Sequence, residues 1–146
     1  MIKIKKSINF VMSREGILFA ARKHIKDVQK AVAWMCVELY ERGKNHDHTK
    51  IEYVDELHRD LRHWKGDYKK GNWFQNHHLT ERHHLEEKCP SDVNMFDVME
   101  RIADVCVSAK AVKGEVYDDL IDPQMLVQAY ENTIDLLCKE IEVQKV

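Results

Sequence analysis

Glycine and proline are scarce in this chain: five and two among 146 residues. Both residues punctuate turns, so their shortage leaves little room for the many tight reversals of an all-β fold. No apolar run approaches the roughly 20 residues that a membrane-spanning helix needs. Charge of one sign is not in excess either: charged residues make up 33% of the chain and the net charge is -2. That balance argues against nucleic acid as a partner, and no single-sign block suggests an interaction tail. The four cysteines, Cys36, Cys89, Cys106 and Cys138, lie far apart and form no CxxC pair. Three fall in apolar helical patterns, where a free thiol behaves as a small hydrophobe. They read as reduced thiols of a cytosolic protein, not as a disulfide framework. The first ten residues, MIKIKKSINF, are basic but lack a continuous apolar stretch and a small-residue cleavage site, so they do not read as a secretory signal. The expected setting is cytoplasmic, away from any membrane.

What the chain has instead is helical periodicity and histidine. With 44% hydrophobic residues, it reads as one domain, 1–146, with enough apolar material for a single core. The fold class expected is all-α, a bundle of about five helices. Residues 2–11 alternate weakly and suggest a short strand or an ordered arm within 1–13. The first helix should run from Arg14 to Arg42, with an apolar seam of Ala21, Ile25, Val28, Val32, Met35 and Leu39 at alternating three- and four-residue steps, and Gly43 as its cap. A second helix should start at His46 or Thr49 and end near Trp64. The third should span Trp73 to Lys88, before Cys89-Pro90. The fourth should span Asp92 to Lys113 and close at Gly114. Asp122-Pro123 sets an N-cap with proline at the first helical position, so a fifth helix should run from there to about Val143.

There are nine histidines, and all but His24 crowd between His46 and His84. The stretch Asn45-His46-Asp47-His48-Thr49-Lys50 puts an imidazole and a carboxylate side by side, both good ligands for a divalent metal. On a helix Lys50 would share their face and could hold a phosphate oxygen. The same residues allow a plainer reading, since Thr49 and Glu52 have the spacing of a capping box. In the third helix His77, Glu81 and His84 share one stripe, while His78 and His83 project elsewhere. A histidine-rich helix could equally show these side chains to water. The fourth helix is apolar almost all round, which marks it as buried. Asp97, Arg101, Asp104 and Ser108 nevertheless form a narrow polar stripe along it. A buried carboxylate there needs a partner, so Asp104 is either a metal ligand or paired with Arg101. His24 flanks the seam of the first helix. Metal sites in bundle cores draw ligands from facing helices in this way.

The order His24, His46-Asp47 with Lys50, His83-His84 and Asp104 resembles the HD-domain superfamily of metal-dependent phosphohydrolases, over roughly residues 24–110. The pattern is also similar to small phage and bacterial HD-like proteins of uncharacterised function. The resemblance implies a divalent transition metal, Mn, Fe, Co, Ni or Zn, as one or two ions. It implies His24, His46, Asp47 and Asp104 around one ion and Asp47 with His77 or His78, His83 and His84 around another. Mixed N/O ligation argues against an Mg-only site. The substrate implied is a small-molecule phosphate ester, a nucleotide first, with Lys50, Arg82 and Arg101 stabilising charge on its oxygens. His48 and Thr49 depart from the usual residues of the motif. The Gly-Tyr-Pro motif of cyclic-dinucleotide hydrolases is absent after His84, which argues against that substrate. Two alternatives remain: a non-catalytic metal-binding or interaction protein on the same bundle, such as a phage inhibitor or accessory subunit, or a plain helical dimerisation module, a homo-oligomer whose histidines lie on the surface.

Overall fold

A computed structural model describes residues 1–6, 13–85, 90–115 and 120–144 of the chain. Cys89 and the expected helical stretch 86–88 lie outside the described residues, as do residues 7–12 of the arm. The described chain is mostly helical, in line with the expected all-α class. Its elements in order are β1 (Ile2–Lys5), α1 (Arg14–Asn45), α2 (His48–Glu52), α3 (Val54–His63), α4 (Asn72–Thr80), α5 (Met95–Lys113), α6 (Pro123–Glu140) and β2 (Ile141–Gln144). Short 3-10 turns at Tyr68–Lys70 and Arg82–His84 flank α4.

The arm does form a strand. β1 pairs in parallel with β2, in the register Ile2 to Ile141 and Ile4 to Val143. This pairing ends α6 at Glu140, earlier than the periodicity suggested, because residues 141–144 leave the helix to satisfy β1. Lys30 Nζ donates to the Lys3 carbonyl at 2.9 Å and ties this two-stranded sheet to α1.

Helix α1 starts where expected, with the Ser13 hydroxyl accepting from the Gly16 N–H at 3.1 Å. It does not stop at Gly43 but runs two residues further, and the His46 N–H then bonds back to the Gly43 carbonyl. Its apolar seam is not buried by the chain. Ile25, Val28 and Val32 are 54%, 45% and 50% exposed. The helix docks on α5 and β1 through another stripe, which carries the half-buried Lys23, Asp27, Ala31, Trp34, Glu38 and Arg42. Trp34 meets Phe96 of α5 edge to face, with ring centroids 6.0 Å apart.

The expected second helix is broken at Tyr53 (φ -110°, ψ 33°) into α2 and α3. His58 and His63 face solvent. The buried Asp60 carboxylate accepts from the Trp73 N–H at 2.9 Å, a charge-favoured contact at the positive end of α4. Gly71 makes this approach possible, since a Cβ there would lie 2.7 Å from the Asp60 Cβ.

Helix α5 is held at both ends of its first turn. Asn94 and Asp97 form a reciprocal capping box. The Met95 N–H donates to Thr133 Oγ1 of α6 at 2.8 Å, and Asn132 Nδ2 donates to the Val93 carbonyl at 2.7 Å. These bonds seat a small core of Val93, Val98 and Ala129, with Leu85, Met95, Ile121 and Met125 packed around it. The expectation that α5 is buried all round holds only for one face: Phe96, Val98, Val105 and Ala109 are buried, while Ile102 and Val107 are exposed. Cys36, Cys106 and Cys138 are free and exposed, so they do not serve as core hydrophobes.

Asp97 is the electrostatic anchor of this packing. Its fully buried carboxylate receives Arg42 Nη1 at 2.9 Å and a two-point contact from Arg82, Nε to Oδ1 at 3.0 Å and Nη2 to Oδ2 at 2.9 Å. Removing one partner of a buried ion pair costs about 3–5 kcal/mol. Asp97→Ala is expected to lower unfolding stability by about 3 kcal/mol, because its arginines keep partial access to water. Asp92→Ala removes the solvent-facing contact of the same Arg82 and should cost under about 1 kcal/mol. Urea titrations of the two variants that give equal losses would contradict this ranking.

Candidate metal centre

The end of α1 and the start of α2 form the floor of the site. Asn45 closes α1, and Asp47 then takes a left-handed conformation (φ 53°, ψ 25°) before α2 begins. Aspartate tolerates this region better than most residues, and such local strain concentrates at functional sites. The kink leaves the His46 ring and the Asp47 carboxylate together, with His46 Nε2 at 3.4 Å from Asp47 Oδ2. Lys50 bonds the same Asp47 oxygen.

The wall comes from α4 and the turn behind it. The helix stops at Thr80, and Glu81 is extended (φ -82°, ψ 112°). That one extended residue resets the helical phase, so the stripe His77-Glu81-His84 expected from spacing does not exist as a helical stripe. Both histidines of the 3-10 turn reach the site instead. His77 Nε2 lies 2.9 Å from His84 Nε2 and 3.3 Å from Asp47 Oδ1, and His83 Nε2 lies 3.6 Å from that same oxygen. Asp104 of α5 completes the set, with Oδ1 at 3.5 Å from His46 Nε2.

Among the described residues, two groups could hold a cation: His46, His83 and Asp104, and beside them Asp47, His77 and His84, each with ligand atoms within 4.8 Å of one another. Asp47 touches both groups through its two oxygens. The far side of two rings is hydrogen-bonded, and that of a third faces a carboxylate. Glu100 Oε1 accepts from His46 Nδ1 at 2.9 Å and lies 3.1 Å from His83 Nδ1. Thr49 donates its hydroxyl proton to Glu81 Oε1 at 2.7 Å, so its oxygen must accept from His77 Nδ1 at 2.6 Å. A proton on Nδ1 leaves the lone pair on Nε2, facing the centre. Metal-binding histidines are oriented by outer acceptors in this manner. Asp47 Oδ1 and His83 Nε2, 3.6 Å apart, are buried without a hydrogen-bond partner among the described residues, as are His83 Nδ1, His84 Nδ1 and Trp73 Nε1. Orphaned acceptors of this kind at one point are what a bound cation would satisfy.

Proton affinities follow from the packing. Burial lowers His46, but the Glu100 bond and the charges of Asp47 and Asp104 outweigh it and raise the ring above its ordinary value. Burial dominates at His77 and pushes it down to about 4. Burial, with the neighbouring rings of His78 and His83, takes His84 down to about 2. Burial raises Asp47, yet Lys50, His46 and His77 together bring it below the usual carboxylate range. Glu100 is lowered as well: burial opposes, and His83 and His46 prevail.

Of the residues singled out in the sequence, His46, Asp47, His77, His83, His84 and Asp104 converge. His24 does not. It is exposed on α1, the same continuous helix that ends beside His46, and at about 1.5 Å of rise per residue it lies about 33 Å away along the helix. His78 stacks on His84 at 3.8 Å and 12° and lies against Phe74, so it supports a ring of the site and belongs to neither group. Arg82 is committed to Asp97 and Asp92 and does not serve as a phosphate contact. Arg101 is half-buried, and its charge adds to the lowering of the His84 proton affinity. Glu100 was missed, although its position three residues after Asp97 and four before Asp104 puts it on the polar stripe of α5. No protein-family model, curated protein or solved structure matches the chain.

The His77 assignment is open to direct test. In metal-free protein its imidazole should be the Nδ1–H tautomer and titrate near pH 4. With the folded value depressed below the ordinary 6.5, this ring contributes stability above pH 6.5 that is lost as pH falls toward 4. Long-range proton–nitrogen NMR spectra that place its midpoint above 6 would contradict the arrangement.

Proposed function

We propose that the site binds one or two divalent transition-metal ions and that the chain hydrolyses a phosphate ester, with a nucleotide as the first substrate class to examine. The observation that carries this reading is the pair of adjacent ligand groups, both in contact with Asp47, with the His46 and His77 imidazoles held from behind. Such ions, when bound, act as Lewis acids on a phosphoryl oxygen and lower the pKa of a coordinated water. His46, His83 and Asp104 would hold one ion, and Asp47, His77 and His84 a second. Imidazole with carboxylate suits Mn, Fe, Co, Ni or Zn.

The chain's own residues have distinct tasks in this scheme. Glu100 and the Thr49–Glu81 pair fix ring tautomers. Asp47 draws both groups together. Lys50 neutralises Asp47 in the metal-free arrangement; with a cation on that carboxylate, its ammonium can turn to an equatorial phosphoryl oxygen. Arg101 is the second cation near the site. The order of His46-Asp47, the histidine pair and Asp104 supports the HD-type reading, and the position of His24 weakens the mononuclear ligand set that goes with it. A non-catalytic metal-binding role draws on one observation, the commitment of Arg82 to Asp97, which removes a charge stabiliser from the proposed machinery.

The decisive experiment uses untagged protein. Metal content is measured after purification, and hydrolysis is followed with a nucleotide panel and a generic phosphodiester in Mn, Co and Ni. The reading predicts bound metal and metal-dependent turnover, both lost in His46→Ala/Asp47→Ala. Metal without turnover on any substrate favours the non-catalytic role, and retention of both metal and activity in the double variant contradicts the site. Glu100→Gln should weaken metal affinity about 10–100-fold by releasing two rings, as loss of outer-shell partners does. A calorimetric titration with unchanged affinity would remove Glu100 from the account.

A further inference from the structure

The seam of α1 carries an inference independent of the metal centre. Leu18, Ala21, Ile25, Val28 and Val32 follow steps of three and four without interruption, and all five are exposed. The same phase continues into the half-buried Met35 and Leu39. A strict alternation of three and four is the heptad pattern, whose apolar line matches an identical line on a second helix when the two wind left-handedly. At about 100° per residue the seam lies roughly 130° round the helix from the stripe of Lys23, Asp27, Ala31, Trp34 and Glu38 that meets the rest of the chain. The inner face of α1 is thus partly polar, and its most regular apolar line faces away.

Surface area points the same way. A folded monomer of 17.3 kDa exposes about 7,800 Å² by the size scaling of globular proteins. This chain exposes 11176 Å². The total includes the residues outside the described ones, and the difference of about 3,400 Å² is several times the about 800 Å² that each partner buries in a standard interface. Flanking residues raise no obstacle. Two copies in parallel would set Ile17 against Arg22, His24 against Gln29 and Ala31 against Cys36, with no like charges opposed.

We propose that a second copy of this chain covers the seam, forming a two-fold parallel coiled coil between α1 helices over residues 18–32. His24, which the metal centre does not use, flanks this interface. The C-terminal ends of the paired helices then carry two metal centres on one shared stem.

Sedimentation equilibrium of the untagged full chain tests this. The expected mass is about 35 kDa, twice that of the chain. Ile25→Glu/Val32→Glu should raise the dimer dissociation constant at least about 100-fold, because each copy would bury two charges. Val127→Glu, at an exposed apolar position of α6, should leave the dimer intact. If the glutamate pair disturbs folding by circular dichroism, Ile25→Ser/Val32→Ser replaces it and should weaken the dimer with helicity retained. A monomeric wild type up to about 100 µM overturns the proposal. So does a dimer that survives either seam pair, or one that Val127→Glu dissolves as readily.

Discussion

Glu100 is the constraint on which the site depends. One carboxylate oxygen faces the Nδ1 atoms of both His46 and His83, at 2.9 and 3.1 Å. Those rings come from distant parts of the chain, the end of α1 and the turn after α4. Bonding His46 and facing His83 at their outer nitrogens leaves both inner nitrogens toward Asp47 and Asp104. A buried carboxylate is costly by itself, and here two imidazoles offset that cost. The Thr49–Glu81 pair repeats the device for His77 with a hydroxyl as relay.

The rest of the fold delivers those groups. Arg42 and Arg82 clamp the buried Asp97, and this fixes the start of α5 and with it Glu100 and Asp104. Asp60 at the head of α4 sets that helix, on which Trp73 stacks against His77 at 4.7 Å and 14°. Arg82 sits immediately before His83-His84, so the same ion pair anchors the turn that presents them. The supporting charges are structural, and the ligand charges stand apart from them by function.

Much of this was legible in the sequence. The start of α1 near Arg14 was read from periodicity and that of α6 at Asp122-Pro123 from capping chemistry, and the His46-Asp47 doublet and Asp104 were visible as ligand types on different helices. The residues that misled did so for physical reasons. Periodicity shows that α1 has an apolar line but not whether the same chain covers it. His24 has ligand chemistry, yet a helix without a break cannot fold back to meet its own end. The phase of His83 depended on one extended residue, Glu81, whose side chain is tied to Thr49 across the site. Glu100 was indistinguishable by type from solvent-facing glutamates, and only its placement beside two rings gives it a role.

X-ray absorption of the protein loaded with one equivalent of zinc tests the central claim most directly. The account predicts nitrogen and oxygen neighbours at about 2.0–2.2 Å, with outer-shell scattering from about two imidazoles per ion, as each ligand group contains. An oxygen-only shell with no imidazole scattering would contradict it.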